Sequence, residues 1–235
     1  TTLTSSVPFR RHLFSGSITH SNNNIYTDTF SQLREVNDTE NKKYSLSDEY
    51  TIHYDNISNI KFKTMVAVKR NRTKQGDVYI DDKDVRQTLG GLSLSGNLQW
   101  WANFNGTITF EKTLPWWSGR NDDEGAVVDS EHYEFEKWSG SVQMALSYPL
   151  PYIGKTASNF SSSFQTIDNI TQSSEHAVLG GWYSVKGFNS TPIYGENYIV
   201  FNSEQMIPVS QYPLPKNIKD LNIQLKWFGD AGAIH

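Results

Sequence analysis

The sequence predicts an all-β fold, and more narrowly an antiparallel transmembrane β-barrel. Three observations predict it: apolar and polar residues alternate with a period of two, the predicted strands are long, and short turns alternate with long polar connections. No segment carries the i, i+3, i+4, i+7 pattern of a helix over three turns. Typical apolar runs, such as 65–68 and 198–201, are far shorter than the roughly 18–20 residues of a membrane-spanning helix.

Composition limits the function classes. The 235 residues carry a net charge of −4 and no cysteine, and 13% of them are aromatic although only 37% are hydrophobic. The charge excludes a strongly basic nucleic-acid binder, and the lack of cysteine excludes disulfides, thiolate metal sites and a cysteine nucleophile. The first residues have neither a basic segment nor an apolar one, so no signal peptide is predicted. We expect a mature chain or a piece of a longer one.

Alternation defines the strands in order. In 44–54, for example, Tyr44 and Leu46 point one way while Ser45 and Ser47 point the other. The same pattern predicts strands at 1–8, 12–22, 44–55, 59–70, 86–97, 102–114, 136–149, 156–169, 196–208 and 220–233. Most reach about ten residues, whereas strands of soluble sheets commonly have about five or six. A tilted strand that crosses a bilayer needs roughly 9–11 residues.

The connections between these strands are of two kinds. Short turns follow Phe9, Tyr54, Asn97, Leu150 and Pro208. Long polar segments occupy 23–43, 71–85, 115–135 and 170–195. Short turns on one side of a sheet and long loops on the other are typical of an outer-membrane barrel.

Aromatic residues cluster at the predicted strand ends. Trp100 and Trp101 lie at a short turn, Trp116 and Trp117 at a long loop, and Tyr148 and Tyr152 at another short turn. Such positions predict two girdles at the membrane interfaces, where amphipathic rings are favoured. The alternatives are plugs at the ends of a soluble core or a platform for stacking sugars. The strand lengths favour the girdles.

A glycine-rich motif lies in the fourth long segment. It comprises Gly180, Gly181, Ser184, Val185, Lys186, Gly187 and Phe188. This run resembles the G-G-x-x-S/T-V-R-G-F/Y signature of the outer-membrane protein-transport and assembly superfamily. Further landmarks at 7–9, 79–82, 114–116, 195–208 and 227–232 resemble the two-partner secretion (TpsB-type) transporters, in order and over nearly the whole chain.

The resemblance implies an architecture. In that family the barrel has sixteen strands, and the motif lies on the sixth extracellular loop, which folds back into the lumen. Residues 1–235 would then be a partial barrel, strands four to thirteen, with 170–195 as the lumen-folding loop. Three strands at each end, a plug helix and the periplasmic receptor domains would lie outside this chain.

The resemblance also implies a function. The family exports a dedicated partner protein through the outer membrane of Gram-negative bacteria without nucleotide hydrolysis. That partner is a large β-helical exoprotein: a haemolysin, an adhesin or a contact-dependent toxin. Outer-membrane lipid is the other implied partner, and neither an enzyme activity nor a cofactor is implied.

A latch is implied for the motif loop. In the family an arginine at position 186 reaches an aspartate on the inner wall, here Asp230, beside Gly232 and with Glu204 nearby. This chain has Lys186, which keeps the charge but lacks the planar fork of arginine. The plain alternative is a solvated lysine on a loop and an aspartate in a turn.

Other polar groups indicate no chemistry. The acidic clusters at 81–84 and 122–131 lack the spacing of a calcium loop, and the six histidines are scattered. No catalytic residue and no metal site are predicted. Three rival functions remain open: a barrel-assembly insertase of the same superfamily, a soluble extracellular carbohydrate-binding β-sandwich, and a non-transporting porin or adhesin barrel.

Overall fold

Ten long strands pair side by side in one antiparallel sheet. The computed structural model describes residues 1–28, 34–75, 78–79, 85–114, 134–150, 154–169, 175–180, 185, 193–208 and 224–235. None of the described residues belongs to a helix long and apolar enough to span a membrane. The predicted all-β fold is confirmed.

The strands follow one another almost without crossover. They are β1 (Thr2–Phe9), β2 (His12–Asp28), β3 (Arg34–Tyr54), β4 (Ser58–Gln75), β5 (Val78–Tyr79), β6 (Val85–Gln99), β7 (Asn103–Leu114), β8 (Glu136–Leu150), β9 (Gly154–Ile167), β10 (Ala177–Leu179), β11 (Ile193–Gly195), β12 (Tyr198–Pro208) and β13 (Gln224–Ile234). The order in the sheet is β1-β2-β3-β4-β6-β7-β8-β9-β12-β13, with β5 beside β4, and β10 and β11 form a separate hairpin. Within the described residues β1 and β13 each have one neighbour in this sheet, so it is open there.

One continuous sheet is incompatible with a two-sheet sandwich. Every strand of the main path pairs with the next, and no second large sheet packs on it among the residues that the structure describes. The soluble carbohydrate-binding sandwich is therefore the wrong architecture for this chain. A sheet that curves into a wall fits the pairing instead.

Three strands are longer than the sequence predicts. β2 and β3 pair as far as Asp28 opposite Arg34, and β4 continues to Gln75. The predicted loops at 23–43 and 71–85 are thus strand over much of their described length. These segments are mostly polar in sequence and lack a regular apolar–polar alternation, although the strand pairing continues through them.

The two faces of the sheet differ in polarity. We call the face that exposes large apolar side chains the outer face and the opposite one the inner face. Leu46 on the outer face is 72% exposed and Ile108 is 42% exposed. On the inner face hydroxyl groups pair across strands, as where Thr109 donates to Ser93 at 3.0 Å. An exposed apolar face of this extent marks a membrane or protein contact surface.

A small apolar core lies on the inner face. It consists of Ala67, Leu89, Phe135 and Ile167, all nearly inaccessible to solvent. Ile167 is directly opposite Lys137, and Ala67 precedes Lys69 by two residues on the same face. This core therefore borders the charged groups that hold the hairpin described next.

Candidate functional site

The hairpin formed by β10 and β11 lies against the inner wall. Ala177 is paired with Gly195 and Leu179 with Ile193. Beyond β11, Asn197 and His235 exchange two backbone hydrogen bonds of 3.1 and 2.8 Å, which join the base of the hairpin to the end of β13. These pairings make the hairpin a short separate sheet that is attached at its base.

Gln165 of β9 holds both sides of the base. Its Nε2 donates to the carbonyl oxygen of Glu175, before β10, at 2.9 Å and to that of Glu196, after β11, at 3.0 Å. The side-chain amide of glutamine has two N–H groups, so one residue satisfies both carbonyls. Two residues further along β9, the Ile167 amide donates to Asn197 Oδ1 at 2.8 Å. The two contacts fix the hairpin to β9.

A buried ion cluster forms a further attachment of the hairpin. The Glu175 carboxylate pairs through Oε1 with Lys69 of β4 and through Oε2 with Lys137 of β8, the latter at 2.8 Å. Lys137 also lies 3.0 Å from Glu111 of β7. The Glu175 side chain is 5% exposed, so the charges interact with little solvent screening. One carboxylate thereby connects the hairpin to two strands that are separated by β6 and β7.

The electrostatics of Glu175 favour its charged form. Burial alone raises the pKa of this carboxyl group, but the two ammonium groups outweigh burial and hold the pKa below its ordinary value. Two lysines and two carboxylates balance in charge. We call Lys69, Glu111, Lys137, Glu175 and Gln165 the hairpin anchor.

Two positions of the glycine-rich motif are described. Gly180 follows β10 with a φ of 118°, a backbone conformation that residues other than glycine rarely adopt. Val185 approaches β13: a Cβ built on Gly232 would lie 3.2 Å from Val185 Cγ2 and 3.4 Å from Leu179 Cδ1. Gly232 thus lets the motif loop pack closely on the wall.

Charged groups on β12 and β13 face the same interior. Asn202 donates to Asp230 at 2.9 Å, and Lys226 Nζ lies 2.9 Å from Glu204 Oε2. The register places Asp230 two residues from Gly232 on the inner face. The wall side of the predicted latch therefore lies beside the described part of the motif.

The rest of the motif lies outside the described residues. It comprises Gly181, Ser184, Lys186, Gly187 and Phe188. The pairing of Lys186 with Asp230 or Glu204 consequently stays a prediction. A cleft of about 470 Å³ between β10 and the strands β9 and β12 shows that apolar packing does not fill this side of the hairpin.

The predicted girdle residues that the structure describes lie at or near strand ends. Trp100 and Trp101 follow β6, 78% and 59% exposed, with ring centroids 6.4 Å apart. The Tyr148 hydroxyl accepts from Gln205 Nε2 at 2.9 Å and shares a hydrogen bond with Ser158. Trp116, Trp117 and Tyr152 lie outside the described residues, so the two girdles remain a prediction.

The sequence motifs do not identify the hairpin anchor. Glu175 is a single acidic residue, and Lys69 is 106 residues away from it in the chain. No local pattern signals such a contact. Among the described residues, no group of three His, Cys, Asp or Glu side chains could hold a metal ion. What the arrangement supplies is an ionic restraint on a hairpin.

Comparison with known proteins agrees with this geometry. A family model described as "Haemolysin secretion/activation protein ShlB/FhaC/HecB" matches residues 1–235. Comparison with curated protein sequences finds no match.

Solved structures share the fold. CdiB from Escherichia coli is 18% identical with a TM-score of 0.76, over 91% of this chain and 39% of the other. CdiB from Acinetobacter baumannii is 15% identical with a TM-score of 0.77, over 100% and 39%. The chain thus spans about two fifths of the length of each of these structures.

Proposed function

The chain belongs to the haemolysin secretion/activation family ShlB/FhaC/HecB, and on this premise we propose that it is part of an outer-membrane pore that exports a dedicated partner protein. The observation that carries the proposal is the hairpin held on the inner wall by a buried ion cluster. A pore that opens only for its cargo needs an internal element that stays in place at rest and can be released.

The two faces of the sheet support a membrane wall. Exposed apolar side chains on the outer face suit lipid, and the inner row of hydroxyl groups suits a hydrated lumen. In this proposal the ten strands are strands four to thirteen of a sixteen-stranded barrel in a Gram-negative outer membrane. The plug helix and the receptor domains for the cargo belong to other parts of the protein.

Release of the hairpin is the proposed opening step. Ion pairs and hydrogen bonds can exchange partners without opening a packed core, so in this proposal the anchor gives way when cargo enters. An extended cargo segment offers carbonyl and amide groups that compete with the anchor. Folding of the exported protein outside the cell would supply the driving force in place of nucleotide hydrolysis.

In this proposal the tip of the glycine-rich motif is a second attachment of the hairpin to the sheet. In the proposal Lys186 binds Asp230, which Asn202 orients, with Glu204 beside it. Exchanging the charges tests it: Lys186→Asp and Asp230→Lys should each impair secretion, and the double variant should restore part of it. Two defective singles with no recovery in the double would count against the pair.

The proposed function itself is tested on the full-length protein. Its membrane fraction should be extracted only by detergent and shift in gel mobility on heating, as closed barrels do. Cells that lack it should fail to secrete one dedicated protein. A general loss of outer-membrane barrels on deletion would indicate an assembly insertase, and a barrel without secretion would indicate a porin or adhesin.

A further inference from the structure

A hydrophilic patch without charge covers part of the inner face on the three neighbouring strands β6, β7 and β8. Directly opposite residues of antiparallel strands point to the same face, and the patch shares the face of Thr109, two residues from one of its members. We give the name uncharged patch to six residues in two rows of direct register: Ser95, Thr107 and Ser141, then, nearer the short turns, Asn97, Asn105 and Gln143.

The side chains of the uncharged patch are accessible to a partner. Five of the six are exposed, and none forms a side-chain hydrogen bond with another described residue. In the next row toward the long connections, by contrast, Thr109 and Ser93 bind each other. Hydroxyl and amide side chains both donate and accept hydrogen bonds. The patch can therefore bind either polar group of a peptide backbone.

An acceptor without a partner adjoins the uncharged patch. Asn59 of β4 is directly opposite Asn97 and extends the amide row by one strand. Asn59 Oδ1 is buried and has no hydrogen-bond partner among the described residues. It lines a cavity of about 270 Å³ together with Asn97, Asn105 and Thr107. Buried polar atoms nearly always have a partner, so an N–H group that enters this cavity is stabilised there.

Charged side chains border the uncharged patch on two sides. On β4, Lys61 is opposite Ser95, and its ammonium group lies 2.6 Å from Glu49. Toward the long connections, β7 and β8 continue to Glu111 and Lys137 of the hairpin anchor. A fixed charge holds residues of opposite charge and repels those of the same charge. Hydrogen bonds to uncharged groups exchange with water at little net cost, so a chain of any sequence can pass over them.

We propose that the uncharged patch is the contact surface for an unfolded segment of the exported partner protein, an inference that rests on the proposed function. Under that function the short turns are periplasmic, so a segment that enters there meets the patch before the hairpin anchor. On the far side, Ser163 of β9 is opposite Ser141 and lines the cleft beside β10. The patch therefore leads the segment to the hairpin that it has to displace.

An extended polypeptide fits the uncharged patch better than a small ligand does. Its carbonyl and amide groups alternate along the chain and find partners in side chains that both donate and accept. Three strands span about 10 Å, which is the length of about three extended residues. Sites for small molecules are lined mainly by apolar and aromatic side chains, and none of the six positions has one.

Disulfide crosslinking in cells tests this contact on the full-length transporter in a cysteine-free background. The probe is the partner protein identified by the secretion assay, fused to a stably folded domain that halts it in the pore, with one cysteine in its unfolded segment. The matched control for Thr107→Cys is Ser45→Cys, since Ser45 lies on the inner face of β3 and is already bonded to Ser17 at 2.7 Å. We expect roughly two- to tenfold more crosslinking at position 107, the factor that one net hydrogen bond supplies.

An added charge gives a second readout that a structural role would not change. Thr107→Lys should slow secretion of a cargo with an acidic unfolded segment roughly two- to fivefold relative to one with a basic segment, as expected for an exposed ion pair. The parent protein and Ser45→Lys should secrete the two cargoes at similar rates. Ser141→Cys on β8 repeats the crosslinking if Thr107→Cys does not fold, and heat-modifiable mobility shows which variants are folded.

Three results would overturn the assignment. They are equal crosslinking at positions 107 and 45, crosslinks from position 107 to another segment of the transporter instead of the cargo, and equal secretion of acidic and basic cargo by Thr107→Lys. Cargo that is secreted but crosslinks elsewhere refutes only this inference. A transporter that secretes no partner refutes the proposed function itself.

Discussion

Replacing Glu175 with glutamine removes one negative charge from the hairpin anchor and changes the size of the side chain very little. Glutamine has nearly the same shape, so the hairpin and the wall strands keep their packing. What changes is that Lys69 and Lys137 lose the carboxylate between them, while Lys137 retains Glu111 at 3.0 Å. The substitution therefore isolates the ionic part of the attachment.

The expected size of the effect follows from the burial of these groups. Removing one partner of a buried ion pair costs about 3–5 kcal/mol, because a charge is left without compensation. Lys137 still pairs with Glu111 and Lys69 has other interactions, so we take the lower end of that range, about 3 kcal/mol. That value lowers the ratio of docked to released hairpin roughly a hundredfold.

Cysteine labelling measures this ratio directly. The chain has no cysteine, and Leu179 of β10 is buried against the wall, so Leu179→Cys reports release of the hairpin. In the full-length protein we expect its reaction with a soluble maleimide to be about a hundredfold faster once Glu175→Gln is added, in line with the cost of the broken pair.

The control for this experiment is Glu49→Gln. Glu49 pairs with Lys61 at 2.6 Å on the inner wall, apart from the hairpin and with more exposed side chains. Labelling at position 179 should change by less than about twofold, since exposed pairs contribute little. An unchanged rate in Glu175→Gln, or an equal increase in both variants, would refute the assignment of Glu175 as the main anchor.

Two further predictions concern the same hairpin. Gly180→Ala should increase labelling at Leu179→Cys, because a φ of 118° costs a residue with a Cβ atom about 1–3 kcal/mol. The control is Gly229→Ala, where the added Cβ would have no atom within 4 Å, and it should leave the labelling rate unchanged. A spin label at Val178 should stay immobile from pH 7 to below the ordinary carboxyl pKa of about 4.3. The docked hairpin binds fewer protons because its Glu175 pKa is depressed, so docking is lost only as pH falls through that lower value. Mobility that rises already near pH 6 would contradict this.

Period-two alternation predicts the strands correctly where the two faces of the sheet differ in polarity. Around Ile108, apolar and polar residues alternate because one face is exposed and apolar and the other carries hydroxyl groups. Along 34–43 the strand continues, but Val36 is the only apolar residue in this stretch of sequence, so no alternation marks the strand. A pattern based on side chains cannot detect such a strand.

The candidate site is predictable only in its local part. Gly180 and Gly232 stand out in the sequence because close approach and unusual backbone angles require glycine. Glu175 does not, because its partners come from β4 and β8 and are brought together only by the register of the whole sheet. The most buried ion cluster described on the inner wall is for this reason the part that sequence reasoning misses.

The long separation of the anchor partners bears on the order of folding. Lys69 and Glu175 are 106 residues apart, and the carboxylate meets both lysines only after β4, β6, β7 and β8 are in register. Contacts between distant parts of a chain form late, since closing long loops is costly in entropy. The wall thus assembles before the hairpin closes onto it. Weakening the anchor accordingly speeds hairpin escape and leaves the rate of sheet formation nearly unaltered.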